Sequence, residues 1–412
     1  MVKIEKSVLE GEINAPSSKS HAIRYLILSG LGSGKSIIKN TEINEDISDA
    51  INLLRSSDTK VNLDNKNLVT YPSSSLNFKN LTLESSATVY RIAIAIGASY
   101  EGKKIINISE SLLKRPVNDL INALNSAGAK VVQEGNKIII SKKVSRNNFF
   151  ISGKVSSQFI TALMFISIAK NEKVEINISD ELVSKTYFNI TKEIMEKLGS
   201  KIIENNNKII IIPKVPKNIS ITIPGDFTLS AYFGSITSRN GKEIVIKNLD
   251  VSGNGDSKIV DIFNDCGIEN KIIGNDWVIK GPSIIKNLDL EMKDFPDLVP
   301  PVSSVLSTAS GISNIRKIEH LTYKESNRIN EIVKILNYAG IIAYYKDGTL
   351  TINGGKLKKF IYNCPSDHRM AMLSISLQAI SGGETTNDEC LKKSYPNFLR
   401  DFKLLGGVIY GD

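Results

Sequence analysis

Hydroxyl and cationic side chains gather at the starts of segments that read as helices, a pairing suited to phosphate and carboxylate ligands. The first such segment runs Pro16-Ser17-Ser18-Lys19-Ser20-His21-Ala22-Ile23-Arg24. Ser18 is expected as its N-cap, which puts Lys19, Ser20 and Arg24 in the first turns. A helix start presents unpaired N–H groups and the positive end of the dipole, so an anion is stabilised there. Alone, this segment is only a capped helix. The pattern recurs, however. Arg115-Pro116 is expected to open another helix, with Pro at a favoured first position. Ser156-Ser157-Gln158 opens the apolar run FITALMFISIA, and Ser184, Lys185 and Tyr187 lead into NITKEIMEKLG. Lys324-Glu325 with Arg328 one turn on, Asp367-His368-Arg369, and Lys393-Ser394 are expected to open three more. A run of such starts predicts helix N-termini from two domains converging on a cleft that holds anionic ligands.

The elements that must position these residues repeat. An amphipathic helix end, a Gly-type stop and two short strands around a polar turn recur roughly every 70 residues, the kind of period that marks repeat architecture. The stops are Gly128, Gly199, Gly267 and Gly340, with a weaker first copy at Asp58 and a last at Gly406. Gly accepts the left-handed conformation that ends a helix, and Gly135-Asn136 and Asp347-Gly348 are hairpin chemistry. Six units form two groups of three. Pro224-Gly225 pairs with Asn14-Ala15-Pro16 as a double crossing, which places one domain at 16–224 and the other at 1–15 plus 225–412.

A chain of 412 residues exceeds one ordinary core, in keeping with two domains. No run of about 18 apolar residues exists, so no membrane span is expected. The opening MVKIEKSVLEGEI lacks an apolar signal core, and a cytoplasmic location is expected. The net charge of +9 is spread among interleaved acids with no aromatic-basic signature, so nucleic acid is not an expected partner. Cys266, Cys364 and Cys390 are scattered, with no disulfide framework and no zinc spacing, and read as ordinary thiols. Gly32-Ser33-Gly34-Lys35-Ser36 resembles a phosphate loop, but the first glycine that motif needs is Ser29 here and the order is helix to strand, so it reads as a turn.

The phrases SSKSHAIR, KRP, SSQF, LVSKTYFNI, FPDL, YKESNRI, SDHRMAM and KKSYPNF, in this order from Lys19 to Phe398, resemble the ordered motif set of the EPSP synthases. The resemblance implies an α/β (α+β) fold: a two-domain inside-out barrel, three βαβαββ pseudo-repeats per domain, with the active site in the interdomain cleft. It implies transfer of the enolpyruvyl group of phosphoenolpyruvate to the 5-hydroxyl of shikimate 3-phosphate by addition and elimination, in the shikimate pathway to chorismate and aromatic amino acids. No metal or organic cofactor is implied, and a monomer acting on small molecules is expected. By similarity, Lys19, Ser20, Arg24, Ser156, Ser157, Gln158, Ser184 and Tyr187 hold shikimate 3-phosphate, with Asp297, His320 and Lys324. Lys19, Ala87, Arg115, Gln158, Arg328, Arg369 and Lys393 surround phosphoenolpyruvate. Asp297 accepts the hydroxyl proton with help from Lys324. Glu325 and Lys19 serve proton traffic at the methylene carbon. Ser85, Thr88 and His368 are supporting groups. Read without the resemblance, Asp297 is an N-cap and Glu325 a first-turn partner of the helix dipole. The sister enolpyruvyl transferase acting on UDP-N-acetylglucosamine is the alternative. That family usually has Lys-Asn where Lys19-Ser20 stands, and a reactive cysteine in its first domain, whereas all three cysteines here fall at or after Cys266.

One stretch departs from the family pattern. Where a Gly-Asn-Ala-Gly-Thr loop is common, this chain has Glu84-Ser85-Ser86-Ala87-Thr88. The Ala87 methyl group is expected to crowd a ligand larger than phosphoenolpyruvate, and so to make the enzyme poorly sensitive to glyphosate. Ser85 shortens the reach of the usual asparagine.

Overall fold

All six repeat stops are left-handed: φ is 62° at Asp58, 96° at Gly128, 98° at Gly199, 86° at Gly267, 82° at Gly340 and 96° at Gly406. Each stop closes its helix in the same way. The N–H of Gly128 donates to the Asn125 carbonyl and the next N–H, of Ala129, reaches back to Leu124; Gly340 and Ile341 do the same to Asn337 and Leu336. These two bonds satisfy carbonyls that the helix end would otherwise leave open. Asp58 adopts the turn without a glycine's freedom, which is why its copy looked weakest in the sequence.

The computed structural model describes residues 1–251 and 255–411. Two units divide the chain, Ser17–Ile223 and the two-segment unit Met1–Pro16 with Pro224–Asp412. Among the described residues there are six four-stranded sheets of one design. In each, two neighbouring strands are parallel; in five of the six the second runs antiparallel to one arm of the hairpin that follows a stop, and in the sixth Val2–Ile4 takes the place of that arm. Thus Asn80–Leu83 lies parallel to Lys104–Ile108, which pairs antiparallel with Lys137–Lys142, and that strand pairs with Lys130–Glu134. Residues alternate along these strands, with Leu81 and Leu83 inward and Asn80 and Thr82 outward. Each unit also closes on itself. Ser220–Thr222, the last strand of the unit Ser17–Ile223, completes the sheet begun by Ser36–Lys39. In the other unit Val2–Ile4 sits between Gly383–Thr386 and Ile409–Tyr410, and Leu9–Asn14 lies parallel to Gly241–Lys247.

The sheets enclose helices that are buried nearly all round, apolar side chains predominating with a few buried polar and charged ones. These are Lys19–Leu31, Ala87–Gly97 and Ser157–Lys170 in one unit, and Phe227–Asn240, Val299–Leu306 and His368–Ser381 in the other. The second helix of a repeat, such as Glu45–Arg55, buries one face only. Among the described residues no helix is long and apolar enough to cross a membrane.

Several helix starts differ from the sequence reading. Ser18 stands at the N-cap position, but its Oγ pairs with His21 Nδ1 at 2.9 Å and makes no capping bond. Arg115-Pro116 lies before the helix Asn118–Ser126, because a residue preceding proline is biased away from helical backbone. Lys324 and Glu325 fall in the turn ahead of Arg328–Tyr338, whose N-cap is Asn327, accepting from Asn330 N–H. Lys393 ends the 3-10 turn Asp388–Lys393, and Pro396 delays the last helix to Phe398–Leu404. The helix after Ser184 begins at Lys185, earlier than expected, with Ser184 itself left-handed at φ 57°. Ser156 and Asp367 do cap, accepting from Gln158 N–H at 3.3 Å and Arg369 N–H at 3.0 Å.

Candidate active site

In the unit that contains Pro224–Asp412, three carboxylates and four cations meet. The helix starts at Arg328 and His368 aim Arg328 and Arg369 at one aspartate. Asp297 Oδ1 accepts from Arg328 Nη1 at 2.8 Å, and Asp297 Oδ2 from Arg369 Nη2 at 2.9 Å. Asp297 therefore is not a cap: the N-cap position of Val299–Leu306 is Leu298. Glu325 Oε2 accepts from Arg328 Nη2 at 2.6 Å, and Lys393 Nζ stands 3.9 Å from Glu325 Oε1. Lys324 Nζ lies 3.8 Å from Asp297 Oδ1. Underneath, Asp367 takes Arg328 Nε at 2.9 Å while capping the helix of Arg369, so one buried carboxylate orients both arginines. Burial alone would lower the Arg328 guanidinium, but Asp367, Glu325 and Asp297 outweigh it and hold it well above its ordinary value. Charge-assisted forks of this kind fix geometry as well as charge.

Three further groups flank this cluster. His320 is buried, and desolvation, reinforced by Lys324 and opposed by Asp297, pulls its imidazole down to about 3. It is a neutral ring at physiological pH, and its Nε2 has no hydrogen-bond partner among the described residues. His368 Nε2 pairs with Ser394 Oγ at 3.0 Å, linking the start of its helix to the segment after Lys393. Asp256 is fully buried, with Thr228 Oγ1 donating to its Oδ2 at 2.9 Å. Desolvation, then the nearby negative charges of Asp226 and Asp297, push it up to about 7, while Thr228 and Arg369 act in the opposite sense.

In the unit Ser17–Ile223 the expected residues fall into two groups. Lys19 Nζ donates to Asp46 Oδ2 at 2.6 Å, and Ser20 is half-buried beside it. Arg24 is buried, donating to Ser20 O, to Thr191 Oγ1 at 2.7 Å and to Tyr187 O at 3.1 Å. Burial, partly offset by Tyr187, lowers its guanidinium to about 10, still cationic at neutral pH. Arg24 thus ties the helix of Ser20 to the helix of Tyr187, just after Ser184. In the second group, Gln158 Oε1 accepts from Arg91 Nη1 at 2.5 Å, and Arg91 Nη2 donates to Pro116 O at 2.7 Å. Arg91 also lies over the Phe159 ring at 4.8 Å. Arg91 therefore joins the Ser156-Ser157-Gln158 helix start to the turn of Arg115, which is itself buried. The departing loop is held from beneath: Asp49 accepts backbone N–H bonds from Glu84 at 3.0 Å, Ser85 at 2.8 Å and Ser86 at 2.7 Å. Ser85 Oγ donates to Glu45 Oε2 at 3.2 Å. Ala87 is buried as the first helical residue, capped by Ser86, and Thr88 is half-buried after it.

The model of the EPSP synthase family, 3-phosphoshikimate 1-carboxyvinyltransferase, matches residues 4–402. The chain belongs to this family. A 3-phosphoshikimate 1-carboxyvinyltransferase of Caldivirga maquilingensis is 31% identical over 98% of this chain and 98% of its own length. One from Saccharolobus solfataricus is 32% identical over 99% of each. An EPSP synthase from Acinetobacter baumannii shares the fold with a TM-score of 0.80 at 17% identity, covering 100% of this chain and 99% of that one. The enolpyruvyl transferase NikO of Streptomyces tendae does so at 0.77 and 13% identity, covering 99% and 98%. The two-domain α/β fold is that of the EPSP synthases, and the UDP-N-acetylglucosamine alternative is not favoured.

The family motifs named most of these side chains but not what holds them. Asp46, Asp49, Arg91 and Asp256 escaped the sequence reading. Asp46 and Asp49 stand one helical turn apart on the buried face of Glu45–Arg55, and acids at that spacing on an otherwise apolar face were the available signal. Arg91 sits among apolar residues in a helix read as core, the same kind of signal.

Proposed function

We propose that the chain joins phosphoenolpyruvate to the 5-hydroxyl of shikimate 3-phosphate, releasing EPSP and inorganic phosphate, as a cytoplasmic monomer in aromatic biosynthesis. The observation that carries this reading is the pairing of Asp297 and Glu325 with Arg328, Arg369, Lys324 and Lys393. Two carboxylates set among cations supply both halves of an addition-elimination: proton acceptors, and charge to hold a phosphate and a carboxylate.

In this mechanism Asp297 takes the proton of the attacking hydroxyl, with Lys324 beside it. As the C–O bond forms at the central carbon of phosphoenolpyruvate, the methylene carbon gains a proton through Glu325 and Lys19. Loss of that proton and of the C–O bond to phosphate then regenerates the enol ether and releases phosphate. Arg328, Arg369 and Lys393, with Lys19 and Arg115 of the other unit, hold phosphoenolpyruvate, Gln158 and Ala87 bordering it. Ser20, Arg24, Ser156, Ser157, Ser184, Tyr187 and the neutral His320 hold shikimate 3-phosphate, with Arg24 also fixing the segments that carry Ser20 and Tyr187. The ligand anions take over cations that otherwise face carboxylates. Mass spectrometry of a reaction containing both substrates tests the proposal. The acceptor gains one enolpyruvyl group; an unchanged acceptor refutes it.

A further inference from the structure

Cys364 and Cys390 lie 26 residues apart in sequence, yet their sulfur atoms are 3.7 Å apart. Cys364 is buried just after the strand Phe360–Asn363, and its S–H donates to the Asp367 carbonyl at 3.3 Å. Its own carbonyl accepts from Asn387 Nδ2 at 3.0 Å, and the same amide donates to Ser366 Oγ at 2.9 Å. Cys390 is half-buried in the 3-10 turn Asp388–Lys393, which ends on Lys393. One sulfur is therefore held against the aspartate that orients Arg328 and Arg369. The other shares a turn with the lysine that faces Glu325.

We infer that Cys364 and Cys390 form a reversible disulfide that switches off the anion site beside them. The oxidant is a small-molecule disulfide. The more exposed Cys390 sulfur attacks it and releases one small thiol, leaving a mixed disulfide. The Cys364 sulfur then displaces the second small thiol and forms the internal S–S bond. Two cysteine thiols are oxidised, one external disulfide is reduced to two thiols, and both protons pass to those products.

The bond brings the sulfurs from 3.7 Å to about 2.05 Å. Cys364 is the anchored partner, buried after its strand and tied to Asp367, so the turn of Cys390 moves and takes Lys393 with it. A displacement of about 1 Å in a positioning group costs up to about a hundredfold in rate. The hydrogen bond to Cys364, burial, and the negative charges of Asp367 and Asp388 all raise the Cys390 thiol above its ordinary value. Oxidation is accordingly slow at neutral pH and faster as pH rises. Cys266 is fully buried elsewhere in the same core, out of reach of a small-molecule disulfide, and is a built-in unreactive control.

The activity readout rests on the enolpyruvyl-transfer reading, but the bond itself does not. The test treats the reduced full-length protein with glutathione disulfide and follows intact mass, a non-reducing peptide map and phosphate release. The expected result is loss of two hydrogens, one cross-linked peptide joining Cys364 to Cys390, and about a tenfold or greater fall in turnover that dithiothreitol reverses. Cys390→Ser shows neither cross-link nor loss, and Cys364→Ser, whose hydroxyl still reaches the Asp367 carbonyl, shows no cross-link and instead holds a glutathione adduct on Cys390. In the wild type, a stable glutathione adduct on Cys390 without the cross-link overturns the inference, and so does a cross-link that leaves turnover unchanged. A protein inactive even when reduced would count against the proposed reaction instead, and the mass measurement would still decide the cysteine pair.

Discussion

Asp297 shows what a single residue adds to a pattern. Its phrase, Phe295-Pro296-Asp297, reads as a helix cap, and only the arrival of Arg328 and Arg369 from 31 and 72 residues away turns its side chain into part of a charged site. Asp297→Asn keeps the shape and removes the proton acceptor; turnover is expected to fall about 10²–10⁴-fold with the fold retained, read by steady-state kinetics and circular dichroism. Asp256 gives a pH signature. Its folded-state pKa, about 7, lies above the ordinary 3.8, so the folded protein holds a proton that the unfolded chain gives up. The stability it contributes is complete below pH 3.8 and is lost as pH rises through about 7. Asp256→Asn should therefore raise the melting temperature relative to the wild type most at pH 8, less at pH 5, and leave it nearly level only below pH 3.8. Such residues were illegible in the sequence because a carboxylate's partners lie far along the chain, and only burial reveals that it lacks a cation.

The Glu84–Ser86 loop belongs to the scale of elements. The sequence announced its departure from the family pattern, but not its support: Asp49, on a different helix, gathers three consecutive N–H groups. Removing that acceptor leaves buried donors unsatisfied at about 1–3 kcal/mol each. Asp49→Ala is expected to lower the melting temperature by several degrees and to raise KM for phosphoenolpyruvate more than it lowers kcat. At the end of the same loop, Ala87→Gly removes the methyl group at the helix start and should tighten inhibition by glyphosate, measured as a lower Ki against phosphoenolpyruvate; an unchanged Ki would mean that Ala87 does not set tolerance. Helix starts were legible where a side chain caps directly, at Ser156 and Asp367. They were misplaced where proline or a distant cap decides, at Arg115, Lys324 and Lys393.

The fold of the whole molecule was the most legible feature, because a stop every roughly 70 residues is a property of the chain and needs no partner. What the period could not show is how each unit closes. Ser220–Thr222 returns to the sheet of Ser36–Lys39, so the segment 17–223 holds complete sheets and its own apolar core. Expressed alone, that segment should unfold cooperatively and release no phosphate; a fragment without a cooperative transition would contradict self-closure. At this scale the clustered acids and cations are proposed to carry out enolpyruvyl transfer to shikimate 3-phosphate. The most direct test is phosphate release from phosphoenolpyruvate by the wild type and Asp297→Asn, with shikimate 3-phosphate and UDP-N-acetylglucosamine as separate acceptors. Release is expected with the shikimate alone, and is nearly abolished in the variant. Release with the sugar nucleotide alone, or equal turnover by both proteins, would contradict it.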